Sequence, residues 1–231
     1  MELSDVELTA TLLSLKVAFW STLVTLPIAI FLAWLLSRKQ FPGKTMLDCV
    51  VHLPLVLPPV VVGYGLLLMF GSKGILGSLL LKYLGITVIF TWKGAALASA
   101  VMALPLFVRA IRVSFDAADH RLEAAARCLG AARWWVFLSI TLPLAMPGII
   151  AGTILGFARS LSEFGATITF VSNIPGETQT LPLAIETLIQ MPDGEAGAMR
   201  LTIISIIIAF AALILAHRVN LWLIRRGQDM R

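Results

Sequence analysis

Along this chain the polar positions come in short clusters, separated by apolar runs too long for a soluble helix. Five of these runs, at about 12–36, 46–70, 90–112, 135–161 and 199–223, are long enough to cross a bilayer. A crossing takes about 20 mostly apolar residues at a rise of about 1.5 Å each. The second and fourth contain proline, which an embedded helix tolerates when its neighbours satisfy the freed backbone groups. A sixth apolar stretch, 181–189, is too short to cross and reads as a loop or a helix at the membrane surface. The pattern predicts an all-α, polytopic membrane protein with five transmembrane helices.

Composition agrees with this pattern. The 231 residues are 58% hydrophobic and only 13% charged, too little charge to cover a soluble domain of this size. A net charge of +5 invites a nucleic-acid reading. The positive residues fall between the apolar runs, however, which suits membrane topology and lipid contact, not nucleic acid. Cys49 and Cys128 show neither pairing nor metal-ligand spacing, and His52, His120 and His217 share no spacing of ligands or of a triad. No metal site is expected. Glu2, Asp5 and Glu7 stand where a cleavable signal would be basic, so the first run is expected to stay as an anchor.

Five crossings put the two termini on opposite sides. Cytoplasmic flanks collect Lys and Arg. Arg38, Lys39, Lys44, Arg109, Arg112, Arg121, Arg127, Arg133, Arg218, Arg225, Arg226 and Arg231 fall on one side, against Lys73, Lys82, Lys93 and Arg200 on the other. The expected N-terminus is therefore outside and the C-terminus cytoplasmic. Trp34, Trp92, Trp134, Trp135 and Trp222 sit near run ends, where amphipathic rings favour the interface. This divides the chain into an external tail 1–9, a membrane domain 10–224 with a cytoplasmic segment 114–134, and a cytoplasmic tail 225–231.

The most informative cytoplasmic stretch is 122–143, LEAAARCLGAARWWVFLSITLP. Leu122 to Leu129 has high helix propensity, and Gly130 is a natural stop. An aromatic-rich helix then enters the membrane near Pro143. Glu123-Ala124-Ala125, Gly130 and Ile140-Thr141-Leu142-Pro143 resemble the EAA loop of binding-protein-dependent ABC permeases with the type I importer (MetI-like) fold. One departure is that Glu123 lies seven residues before the glycine, where many members have six. The resemblance implies that Leu122, Glu123, Ala124, Ala125, Ala126, Arg127 and Gly130 form a helix docking in a separate ATPase subunit, with Ile140, Leu142 and Pro143 closing the motif. Gly43-Lys44-Thr45 looks like the end of a P-loop, but Arg38 stands where that motif needs glycine. ATP and magnesium are then expected on the partner ATPase, with no cofactor and no enzymatic site on this chain.

The resemblance extends further. RKQFPGK from Arg38, HLPLVLPPVVVGYGLL from His52 and RSLSEFGATITFVSNIPGETQTLP from Arg159 are similar to molybdate permeases. Sulfate/thiosulfate permeases share a looser version. This implies uptake of molybdate, with tungstate as its close chemical relative and sulfate as the alternative. It also implies a second copy of the chain, two copies of the ABC ATPase and an external molybdate-binding protein landing on 71–89 and 172–198, the latter acidic through Glu177, Glu186, Asp193 and Glu195.

A dianion pathway needs basic groups, hydroxyls or backbone N–H groups. Arg159, Ser160 and Glu163 are the candidates, although Arg159 and Glu163 are i,i+4 and equally able to pair. Lys16 lies within snorkelling reach of the outer surface. Pro54, Pro58 and Pro59 form either a hinge or a static kink in the second run. Gly148, Gly152 and Gly156 form a small-residue ridge with Ser160, for helix packing within or between subunits. A self-sufficient secondary transporter is disfavoured, because no inverted repeat is visible.

Overall fold

The computed structural model describes residues 4–229. Arg231 and the end of the expected tail lie outside the described residues, as do the side chains of His120, His217, Trp222, Arg225 and Arg226. All regular structure among the described residues is helical, in eleven α-helices and one π-helical segment.

Helix α1 spans Asp5–Arg38, starting earlier than the apolar pattern indicates. Ser4 and Glu7 set that start through a capping box: Ser4 Oγ accepts from the Glu7 N–H, and a Glu7 carboxylate oxygen accepts from the Ser4 N–H at 2.9 Å. The expected tail 1–9 is thus partly helix.

The second apolar run is not one rod. It divides into α2 (Lys44–Val56) and α3 (Pro59–Phe70), bent by 116°. Pro58 caps α3 and Pro59 takes its first position, where a missing N–H costs nothing. Pro54 lies inside α2 and causes no break. Of the three prolines expected to form a hinge or a static kink, Pro58 and Pro59 stand at the bend and Pro54 does not. By length and composition, four helices can cross a membrane, or five with the bent pair taken as one span.

Helix α4 (Ile75–Leu84) leads to α5 (Trp92–Ala117), the central element. Ala95, Ala98 and Ala103 on α5 are fully buried, since small side chains let helices approach closely. Next come α6 (His120–Cys128), α7 (Arg133–Val136), the π-helical Phe137–Thr141 and α8 (Leu142–Leu161). Then α9 (Gly165–Val171) and α10 (Leu181–Ile189) precede α11 (Glu195–Asp229).

Helices α1 and α5 run side by side in the same direction, with Trp20 near Trp92 at one level and Ser37 donating to Asp116 at the other. Helix α8 runs against both. One core, at the α6 end, gathers Leu36, Phe107, Ile111, Phe115 and Ile149. A second, toward α9, gathers Leu13, Val17, Leu66, Met102 and Phe170. Large apolar side chains such as Val56, Leu68, Ile207 and Phe210 point outward instead. That arrangement suits lipid as the solvent.

The glycine ridge packs within the chain. A Cβ on Gly156 would fall inside the Phe107 ring, one on Gly152 would lie 3.1 Å from Ile111, and one on Gly148 would strike Ser114. All three neighbours are on α5.

Candidate functional site

The segment between α5 and α8 is built from local rules. Asp119 caps α6, its carboxylate accepting from the Arg121 N–H at 2.8 Å. At the other end Gly130 takes φ +87°, the left-handed conformation that glycine adopts without a Cβ penalty. The Gly130 N–H donates to the Arg127 carbonyl at 3.0 Å and the Ala131 N–H to the Ala126 carbonyl at 3.1 Å. These two bonds make a Schellman stop, which holds α6 at a set angle to α7.

From α7 onward the helical path is continuous. The four residues of α7 pass into five π-helical residues, Phe137–Thr141, and these into α8. Ile140 lies within the π-helical turn, while Leu142 and Pro143 open α8, and Pro143 cannot donate to the ladder just where the π turn passes into α-helix. A π segment is a rare local widening that often marks a functional position.

The α6 surface is two-sided. Arg121, Leu122, Ala124, Ala125 and Arg127 are exposed, and Leu129 is 89% exposed just beyond the last turn. Trp134 and Trp135 continue this open face at 64% and 56%. Ala126 is half-covered, and the Arg127 guanidinium folds back to the Glu123 carbonyl at 3.1 Å. Glu123 points the other way. Its Oε1 lies 3.0 Å from Nη2 of Arg38, whose side chain is only 5% exposed. The same Nη2 donates to the Ala118 carbonyl at 3.3 Å. The acidic charge of α6 is thus turned inward, onto the last turn of α1, while its arginines stay exposed.

Sequence reasoning does not reveal this partner. Arg38 counts there only as a topological charge, and no local spacing links positions so far apart. Three other ties escape for the same reason. Arg112 donates to Asp48 at 3.0 Å, tying α5 to α2. Arg200 of α11 donates to Glu7 at 2.6 Å. The Leu181 N–H, opening α10, donates to Ser14 Oγ of α1 at 2.6 Å.

Two of the three pathway candidates, Arg159 and Glu163, pair at the end of α8. Arg159 Nη2 lies 2.7 Å from Glu163, whose side chain is 1% exposed. Glu163 also accepts from the Ala166 N–H at 2.9 Å and so caps α9. Ser160 turns away from them into the α1–α8 contact, with its Oγ 3.0 Å from that of Ser21. Pro59 packs close to this cap, because a Cβ on Gly165 would lie 2.9 Å from it. Lys16 places its Nζ 4.0 Å from the Trp92 ring centroid, a cation–π contact.

The 172–198 connection is also more ordered than a loop. Thr178 Oγ1 donates to the Ser172 carbonyl at 3.0 Å and accepts from the Ile174 N–H at 2.9 Å. Asn173 donates to Thr187 of α10 at 2.7 Å. Among the described residues no cluster of His, Cys, Asp and Glu could hold a metal ion.

Comparison with known proteins places the chain among its relatives. Residues 25–226 match the family described as "Binding-protein-dependent transport system inner membrane component". The chain is 60% identical over 229 residues to the molybdenum transport system permease protein ModB of Escherichia coli strain K12, covering 99% of this chain and 98% of that one. It is 55% identical to the Haemophilus influenzae protein of the same name, covering 96% and 95%. Among solved structures, a bacterial ABC transporter involved in import of the acidic polysaccharide alginate aligns with a TM-score of 0.72 at 21% identity, covering 96% of this chain and 80% of that one. At that identity the likeness is one of fold.

Proposed function

The chain belongs to the family of binding-protein-dependent transport system inner membrane components, and from that premise we propose that it is the permease subunit of an ATP-driven molybdate importer. The observation that carries the cargo is the 60% identity to a molybdenum permease along nearly the whole chain. Hydrolysis belongs to a separate ATPase subunit, which binds ATP and magnesium. This chain contributes the membrane passage and the docking helix.

In this reading the α6 end faces the cytoplasm, and the chain starts outside. Two copies assemble on a pair of ATPase subunits, because each chain offers one docking helix and the ATPase works as a two-fold pair. The open face of α6, with Leu122, Ala125 and Leu129, enters the ATPase. Arg121 and Arg127 supply charge at its rim. When the ATPase pair closes, the push on α6 passes through the Gly130 stop into α7, the π turn and α8. Helix α8 carries the Gly148–Gly152–Gly156 ridge along α5 and ends beside Arg159 and Glu163. Displacement at the docking helix therefore reaches the far end of the membrane through one continuous element. The bend at Pro58 and Pro59, packed on Gly165, is the second place where the passage can change shape.

On the opposite end, α4, α10 and the bonded turn at 172–178 form the landing surface for the external binding protein. Glu177, Glu186, Asp193 and Glu195 give this surface negative charge, which would repel a free oxyanion and favours delivery by a carrier protein.

The test is reconstitution with the ATPase and the binding protein in vesicles. Radiolabelled molybdate should enter only with ATP. Uptake by the permease alone would remove the importer reading, and displacement by equal sulfate would reassign the cargo.

A further inference from the structure

Besides the helical contacts already described, α1 and the α7–α8 junction enclose a groove of about 580 Å³ that the import mechanism does not use. Its walls are apolar and aromatic: Pro27, Phe31 and Trp34 from α1, and Phe137 and Leu142 from the facing side. Trp34 and Phe137 meet edge to face, with centroids 5.7 Å apart, and close its floor. Its remaining lining residues include Lys39 and Arg133, both exposed. Lys39 leans back over the Trp34 ring at 5.5 Å.

Three features of the groove identify its occupant. From Pro27 to Lys39 the chain rises about 18 Å, close to the depth of one leaflet of a hydrocarbon core about 30 Å thick. The lining is apolar over that depth and becomes cationic only at the end where α1 stops. Among the described residues no acidic side chain lines it. A neighbouring cleft between α2 and α5 differs in this respect: there Arg109 and Arg112 share the lining with Asp48 and Asp116, so it does not select an anion. An apolar slot one leaflet deep, lined by Trp34 and Trp134 and with two cations at its mouth, matches a single lipid with a negative headgroup.

We propose that this groove binds one anionic phospholipid of the cytoplasmic leaflet, its acyl chain along α1 and its phosphate between Lys39 and Arg133. The assignment rests on the orientation that puts the α6 end in the cytoplasm. Arg133 lies three residues beyond the Gly130 stop, and Phe137 begins the π turn. A phosphate held by Lys39 and Arg133 therefore bridges the end of α1 to the start of the lever. The lipid steadies the junction through which the ATPase push enters α8, so the charge of the membrane sets how firmly the lever is held.

The complete importer, permease with its ATPase, is placed in nanodiscs of phosphatidylcholine containing phosphatidylglycerol. After release, native mass spectrometry counts the lipids retained per permease chain. The wild-type complex should retain one phosphatidylglycerol in preference to phosphatidylcholine. In the Lys39→Gln, Arg133→Gln double variant that preference should fall roughly thirtyfold, the equivalent of about 2 kcal/mol for two basic groups near an anionic headgroup. Each single variant should lose roughly fivefold, which keeps the test open if the double variant fails to assemble. Lys73→Gln with Lys82→Gln, remote from the groove, should change nothing. Equal retention of the two lipids, or variants that retain phosphatidylglycerol like the wild type, would overturn the proposal. So would a Phe31→Cys cross-link to a second copy of the chain, because the groove would then hold protein. Retention is read without cargo, so a failure of molybdate uptake bears on the importer reading and a failure of selective retention bears on the groove.

Discussion

Arg38 and Glu123 face each other across the α6 end of the bundle, guanidinium to carboxylate at 3.0 Å, with side chains 5% and 14% exposed. One ends a long helix of the membrane core and the other sits in the short helix α6. The pair joins α6 to α1 independently of the peptide path through Gly130. Helix α1 in turn bonds to α8 through Ser21 and Ser160, and to α11 through Glu7 and Arg200. A push on α6 thus has two routes into the bundle.

Neutralising this pair should loosen the second route and leave the first. Glu123→Gln is expected to weaken the tie by about 3 kcal/mol, the lower end for neutralising one member of a buried ion pair. The measurement is molybdate imported per ATP hydrolysed in reconstituted vesicles, which should fall while ATP hydrolysis continues. Exchanging the two residues, Arg38→Glu with Glu123→Arg, should recover part of the loss. An unchanged ratio in both would show that α1 carries none of the push.

At Gly130 the cost is conformational alone. With φ at +87° and nothing within 4 Å of where a Cβ would stand, Gly130→Ala meets strain and no clash. We expect about 1–2 kcal/mol of lost order at the α6 stop, read as weaker ATPase binding to the permease. Gly130→Asn should cost less, because asparagine visits the left-handed region more readily. Equal effects from the two substitutions would mean that the stop is not what matters.

Gly156 poses the opposite case, a clash without backbone strain. Gly156→Ala drives a methyl into the Phe107 ring and should destabilise the α5–α8 contact by about 1–3 kcal/mol, seen as a lower unfolding midpoint in detergent. Phe107→Leu in the same chain should restore part of it. A lack of any recovery would place the ridge against some other surface.

Glu163→Gln removes the charge facing Arg159 while leaving an oxygen to cap α9. Breaking a buried pair by neutralising one member costs about 3–5 kcal/mol, and the partial exposure of Arg159 places the expected loss at the lower end. Thermal stability of the purified permease should drop. Arg159→Gln with Glu163→Gln should be closer to wild type in stability, and its molybdate uptake then reports whether the arginine touches cargo.

Helix α6 is legible in detail because each of its signals is local. Asp119 before the alanine stretch, Gly130 after it and Pro143 at the re-entry to the membrane each act on backbone within a turn or two. The second apolar run reads as one span because two prolines four residues apart look alike in sequence. Only the fold distinguishes Pro54, tolerated inside a helix, from Pro58, which stands at the bend. The glycine ridge is visible as a pattern, but its partner is not, since any bulky side chain in the chain or in a second copy could fill it.

The sequence by itself determined the membrane as solvent, the number of apolar runs, the short helix α6 with its glycine stop, and a family resemblance that extends to the cargo. These follow from composition, periodicity and local backbone preference, which depend on neighbours in the chain. The tertiary structure decided that Glu123 turns inward to Arg38, that the ridge meets Phe107 and Ile111, and that α1 and α7 enclose a groove with a cationic mouth. Each of those joins residues tens of positions apart, and such pairings depend on how whole helices pack. No spacing rule along the chain encodes them.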